Sequence, residues 1–182
     1  MQESSGVTAS VKKDTLAIQL SLMVVMTALV TVTTFLVRIP NPMGGYFNFG
    51  DVMIFVVALT FRPVIGGFAG GVGSAISDSI GFPLFVIPTL VIKGVEGLLA
   101  GLITNKKSIY RDVLAVCLAG GEMILGYFLV EWLVLPVWGA SDWGLIGALG
   151  ELPGNIGQIL IGAVVGIPVA YVVRRRLPEV LK

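Results

Sequence analysis

Residues 39 to 51 read Ile39-Pro40-Asn41-Pro42-Met43-Gly44-Gly45-Tyr46-Phe47-Asn48-Phe49-Gly50-Asp51, with two prolines and three glycines. A regular helix is ruled out here, since proline lacks the backbone donor and glycine leaves the chain too much freedom. The stretch nonetheless lies between two apolar runs, and the second, Asp51 to Phe61, has only 11 residues. That run gives about 16 Å of helix at 1.5 Å per residue, short of the roughly 20 residues a bilayer crossing needs. Part of the irregular stretch is therefore expected at membrane depth, where free N–H and C=O groups are tolerated only inside protein or beside a polar cavity. The expectation is a cavity plugged or lined by Tyr46, Phe47, Asn48, Phe49 and Asp51. The simpler alternative is an outer loop in which Asp51 caps the next helix.

Composition supports the membrane setting. Of 182 residues 55% are hydrophobic and 13% charged, and the mean hydropathy is +0.95. A soluble domain of this size has no interior large enough for so much apolar surface. The net charge of +1 gives no reason to expect a nucleic-acid partner. Cys117 stands alone in an apolar run, which excludes a disulfide framework and predicts a small buried hydrophobe. The absence of histidine removes the usual general base and the commonest transition-metal ligand, so a histidine-dependent hydrolase or a zinc site is excluded.

Outward from the central stretch, residues 1–14 read as a flexible polar tail, residues 15–176 as a single membrane domain and residues 177–182 as a second tail. Helix 1 is expected over Thr15–Val37, and helix 2 ends at Phe61 before Arg62-Pro63. Helix 3, about Val64–Ile80, carries Gly66, Gly67, Gly70, Gly71 and Gly73, so it should be the most closely packed helix of the bundle. Helix 4 is expected over Pro88–Ile103 and helix 5 over Asp112–Leu135. Residues 137–152, with Trp138 and Trp143, read as an interfacial loop or short helix. Pro153 is placed to start helix 6, which stops at Arg174-Arg175-Arg176.

Six crossings with a cytoplasmic N-terminus put Lys12, Lys13, Arg62, Lys106, Lys107, Arg111, Arg174, Arg175, Arg176 and Lys182 on the inner side. These are ten of the 12 basic residues, so both termini are assigned inside. Ionisable groups within such helices default to a functional reading. Lys93 and Glu96 are three apart and can pair. Glu122 and Glu131 fall on opposite sides of helix 5. Asn155 and Gln158 share a face, joined by Glu151 if the helix begins early, and offer donors and acceptors suited either to an uncharged heterocycle or to an interhelical hydrogen bond. With Trp132, Trp138, Trp143, Tyr46 and Tyr127, these polar groups gather toward the outer half, as capture of a small polar-aromatic solute requires.

The chain resembles the substrate-binding S components of energy-coupling factor (ECF) transporters, the prokaryotic vitamin-uptake family. The resemblance is carried by Gly45-Tyr46-Phe47-Asn48-Phe49-Gly50-Asp51, by the glycine-rich helix ending in Ser77-Asp78, by Lys93-Gly94-Val95-Glu96-Gly97-Leu98-Leu99-Ala100-Gly101, and by Leu152-Pro153-Gly154-Asn155-Ile156-Gly157-Gln158. It implies an all-α, six-helix membrane bundle in the prokaryotic cell membrane, without enzymatic activity or cofactor. Such a subunit takes a vitamin or precursor at its outer face and works with a transmembrane coupling subunit and two ATP-binding-cassette ATPases. The family's gating loop matches Tyr46 to Asp51, and the pocket residues carried over are Tyr46, Asn48, Asp51, Lys93, Tyr127, Glu131, Asn155 and Gln158. The family's Ala-x-x-x-Ala docking surface on helix 1 is replaced here by Ala17-x-x-x-Ser21. The ligand implied is a flat heterocycle, with riboflavin ahead of pyridoxine or a thiamine precursor. Two other classes compete: a membrane enzyme using Asp51, Asp78 and Glu96 as metal-binding carboxylates, and a solitary proton-coupled carrier or channel using Glu122 and Glu131.

Overall fold

A computed structural model describes residues 3–40, 45–105 and 107–178, with side chains from residue 16 onward. Six helical rods follow in order: α1 (Glu3–Leu36), α2 (Gly50–Thr60), α3 (Pro63–Ser79), α4 (Val86–Ile103), α5 (Ile109–Leu129) and α6 (Leu145–Ile161), the last continuing into α7 (Ile167–Arg176). A wide π turn, Val130–Val134, extends α5, and a second, Gly162–Gly166, joins α6 to α7. A two-stranded antiparallel hairpin, β1 (Arg38–Pro40) with β2 (Tyr46–Asn48), links α1 to α2.

The short helix α2 is the axis of the bundle. Every residue from Ile54 to Thr60 is buried, as expected for a helix that is apolar all round. Phe55, Ala58 and Leu59 pack with Ala100, Ala115, Ala119, Ile167 and Ala170 on one side. Val57 and Ile54 pack with Val30, Ile65 and Ala69 on the other. The outer surface is apolar instead of polar, with Leu20, Val24, Leu102, Leu118, Leu160 and Val172 all exposed. That inversion belongs to a protein solvated by lipid. Four helical stretches are long and apolar enough to cross a membrane, Leu16–Leu36, Pro83–Ile103, Ile109–Val134 and Leu145–Arg176; α2 is shorter.

The glycines of α3 do what their spacing predicts. A Cβ at Gly70 would stand 2.6 Å from the Lys93 carbonyl oxygen, and one at Gly71 2.6 Å from that of Leu90. Only hydrogen at these two positions lets α3 lie backbone to backbone on α4. On its other flank α3 meets α1, where Thr31 Oγ1 donates to the Gly73 carbonyl at 2.9 Å.

Two helix starts and one environment differ from the sequence expectations. Helix α1 begins at Glu3, not Thr15, so the segment read as a tail has helical backbone; it contains no proline to stop it. Helix α6 begins at Leu145, leaving Pro153 inside it with its side chain exposed. Half of residues 137–152, read as an interfacial loop or short helix, thereby belongs to α6. Cys117 is exposed, because it lies on the outward face of α5. Asn41 to Gly44, Lys106 and residues 179–182 lie outside the described residues, as do the side chains of Lys12 and Lys13.

Candidate functional site

At the hairpin end of the bundle, a cavity opens between the hairpin and helices α3 to α6. The hairpin contributes Gly45, Tyr46 and Asn48; α3 contributes Asp78; the short 3₁₀ turn Pro83–Phe85 and α4 contribute Phe85, Thr89 and Lys93. Met123, Tyr127 and Glu131 come from α5 and its π turn, and Glu151, Asn155 and Gln158 from α6.

The hairpin is fastened to α3 by a layered contact. Arg38 donates to the carbonyl oxygens of Ser77 and Ile80, the latter at 2.5 Å, and to the Ser77 hydroxyl. Its guanidinium lies over the rings of Phe35, Tyr46 and Phe82 at 4.9, 5.0 and 5.4 Å, a stacking suited to its planar charge. The Tyr46 hydroxyl in turn donates to Asp78 Oδ1. Burial and the adjacent Asp78 carboxylate push the Tyr46 phenol well above its ordinary range, so it stays a donor. Gly45 passes so close to Glu151 that a Cβ would stand 2.5 Å from Oε1.

Beneath the cavity is an ionic floor. Lys93 is 3% exposed and donates to Asp51, with Glu96 Oε2 at 3.1 Å from the same nitrogen. The pairing of Lys93 with Glu96 follows from their spacing, while Asp51 arrives from α2. Asp51 is fully buried under the lysine and does not line the cavity. Phe47 and Phe49 do not line it either: they meet edge to face at 5.7 Å, and Phe49 is exposed. The hairpin's strand alternation explains this, since Tyr46 and Asn48 point inward and Phe47 between them points away. Asn48 Oδ1 also accepts from the Gly50 N–H at 2.7 Å, which fixes the start of α2.

The aromatic wall is built by Tyr127 and Phe85, with ring centroids 6.5 Å apart, and Trp143 meets Phe85 edge-on at 5.3 Å from behind. Thr89 Oγ1 and the Tyr127 hydroxyl are hydrogen-bonded at 2.9 Å, and the Lys93 ammonium sits 5.6 Å from the Tyr127 ring centre. Trp132 and Trp138 are exposed and face outward. On the opposite wall Glu151, Asn155 and Gln158 are buried in one row, as their spacing of four and three residues dictates. The early start of α6 is what brings Glu151 into this row. Gln158 donates to Asn155 Oδ1 at 3.2 Å, leaving Gln158 Oε1 without a hydrogen-bond partner. Glu131 Oε2 is likewise unpartnered; the π turn that carries Glu131 is held by the Gly144 N–H, which donates to the Glu131 carbonyl at 3.1 Å.

Seven of the eight residues carried over from the resemblance thus meet around one cavity, and Asp51 supports it from below. Asp78, weighed in the sequence as a metal ligand, is instead an acceptor for Tyr46. The described residues contain no cluster of three metal-binding side chains. Glu122 lies on another face of α5 and does not line the cavity. Ala17 and Ser21 are both exposed on α1. Sequence reasoning missed Thr89, Phe85 and Met123, which carry no pattern until α4 and α5 are placed side by side. It also missed a buried cluster at the other end, where Arg174 pairs with Asp112 and Thr104 donates to the same carboxylate.

A lipid-facing helical bundle that encloses a polar, aromatic-walled cavity under a hairpin defines a membrane protein built to bind a small solute. The chain belongs to the ECF-type riboflavin transporter S component family, which it matches over residues 16–175. It is 43% identical over 155 residues to an uncharacterized protein of Pyrococcus woesei, covering 84% of this chain and 99% of that one. It also shares its fold with a solved structure described as the S component of a bacterial ECF transporter, with a TM-score of 0.68 at 23% identity, covering 86% of this chain and 95% of the other.

Proposed function

We propose that this protein is the substrate-binding subunit of an ECF-type importer, capturing riboflavin or a closely similar flat heterocycle at the outer face. In this reading the chain crosses the membrane six times with both termini inside. The hairpin gates the cavity, and release inward depends on a transmembrane coupling subunit and two ATPases. Hydrolysis of ATP belongs to those partners, and this chain has no reaction of its own to catalyse. Ala17 and Ser21 lie on the face of α1 assigned to the coupling subunit.

The observation that carries the reading is the pairing of buried polar groups with aromatic surface in one enclosure. Gln158 and Glu131 keep buried acceptors without partners, and such atoms are costly unless a ligand supplies donors. Tyr127 and Phe85 provide the flat apolar wall that a ring system needs. Pyridoxine and thiamine precursors present smaller rings and come second.

Uptake of labelled riboflavin in cells expressing this chain, with and without the coupling subunit and ATPases, tests the proposal. Accumulation that requires both the chain and the coupling module is expected. Accumulation by the chain alone would make it a solitary carrier.

A further inference from the structure

Two fully buried acids, Asp51 on α2 and Glu96 on α4, face one ammonium group, that of Lys93, beneath the cavity. Neither acid lines the cavity, so neither reaches its water. With both acids ionised the floor holds one negative charge more than Lys93 offsets. Among the described residues no second cation stands by to balance it. Arg38 is turned to the carbonyl oxygens of Ser77 and Ile80, and Arg174 is paired with Asp112 at the other end of the bundle. From α5, the half-buried Glu122 brings another acid to bear on Glu96. The one ionisable side chain of α3, Asp78, is bonded to Tyr46. An uncompensated charge in such a place costs enough that a carboxyl group takes up a proton instead.

We propose that Glu96 is a proton-binding site of the folded protein, so that the floor is a neutral assembly of one Asp51–Lys93 ion pair and one carboxylic acid. The hydrogen bonds decide which acid holds the proton. Asp51 accepts from the Lys93 ammonium, whereas neither carboxyl oxygen of Glu96 has a hydrogen-bond partner, although Oε2 stands 3.1 Å from the lysine nitrogen. Hydrogen bonds to the ionised form are what hold a carboxyl group in that form, and Glu96 lacks them. The proton also bears on the cavity. An ammonium has three N–H donors. With Glu96 neutral, Asp51 is the sole counter-ion, and the donors it does not take stay free for the cavity that Lys93 lines. Glu96 is thus a positioning residue that touches no solute itself.

Infrared spectroscopy of the full chain, purified in detergent near neutral pH without added solute, tests the assignment. A carboxylic acid has a C=O stretch that an ionised carboxylate lacks. Subtracting the spectrum of Glu96→Gln from that of the unaltered protein isolates Glu96, because bands of the other acids cancel. A carboxylic-acid band of one group per chain is expected. If Glu96→Gln does not purify folded, Glu96→Asp keeps a carboxyl group and shifts the band instead of removing it. In Asp51→Asn the lysine has Glu96 as its only anionic partner, so the same subtraction in that background should show a carboxylate. A carboxylate from Glu96 in the unaltered protein overturns the proposal. A carboxylic-acid band that persists in the Asp51→Asn background overturns the charge balance on which it rests. Both readouts are independent of which solute the cavity takes.

Discussion

Lys93 on α4 donates to Asp51 on α2, and Glu96 one turn along α4 stands 3.1 Å from the same nitrogen. One cation thus serves two fully buried carboxylates under the cavity. Lys93→Met leaves both acids unpaired and should lower stability by about 3–5 kcal/mol. Asp51→Asn should cost less, because Glu96 still pairs with the lysine. Thermal unfolding of the two variants in detergent gives the order; a smaller loss for Lys93→Met would contradict the shared-cation arrangement.

Asn155→Ala and Gln158→Ala remove side chains from the cavity wall without unpairing a charge. Each should weaken riboflavin binding by about 1–3 kcal/mol, with little change in the melting temperature of the empty protein. Fluorescence titration beside a thermal melt separates the two effects.

Arg38 holds the hairpin against α3 through Ser77 and Ile80 and stacks on Tyr46. Arg38→Ala should therefore speed ligand release more than it slows binding, since the contacts it loses stabilise the closed arrangement. Stopped-flow displacement measures both rates, and an unchanged release rate would remove Arg38 from the gate.

Gly70 packs on the Lys93 carbonyl at a distance that forbids a methyl group, whereas a Cβ at Gly121 meets nothing within 4 Å. Gly70→Ala should destabilise by about 1–3 kcal/mol through overpacking. Gly121→Ala should be neutral or stabilising by up to about 1 kcal/mol from helix propensity. Comparing the two melting temperatures checks that close backbone approach, not glycine content, is what α3 requires.

The three arginines that end α7 should separate in the same assay. Arg174 is buried against Asp112, while Arg175 and Arg176 are exposed. Arg174→Ala should cost about 3–5 kcal/mol, and the other two substitutions about 0.5 kcal/mol or less.

The helical rods and most of the cavity lining were legible because membrane sequences state them strongly. Long apolar runs, the glycines of α3 and the spacing of Asn155 with Gln158 each have one simple physical reading. Pro153 points to a helix start because proline suits a first turn, yet membrane helices also hold proline in their interiors, where neighbouring groups re-satisfy the freed backbone. The irregular backbone that ends at Asp51 points to a cavity lined by that acid. Only the placement of α2 at the axis turns that carboxylate under Lys93. The partnership of Asp112 with Arg174 spans 62 residues, and no local pattern announces a contact over that separation.

The central claim is that the cavity is a vitamin site, and the most direct measurement is of what the protein already carries. The chain, purified in detergent without added ligand, is denatured and the released small molecules are identified by absorbance and mass spectrometry. A flat heterocyclic vitamin near one per protein, riboflavin first among them, is the predicted result. A protein that releases nothing and then fails to bind riboflavin, pyridoxine or thiamine precursors on titration would contradict the account.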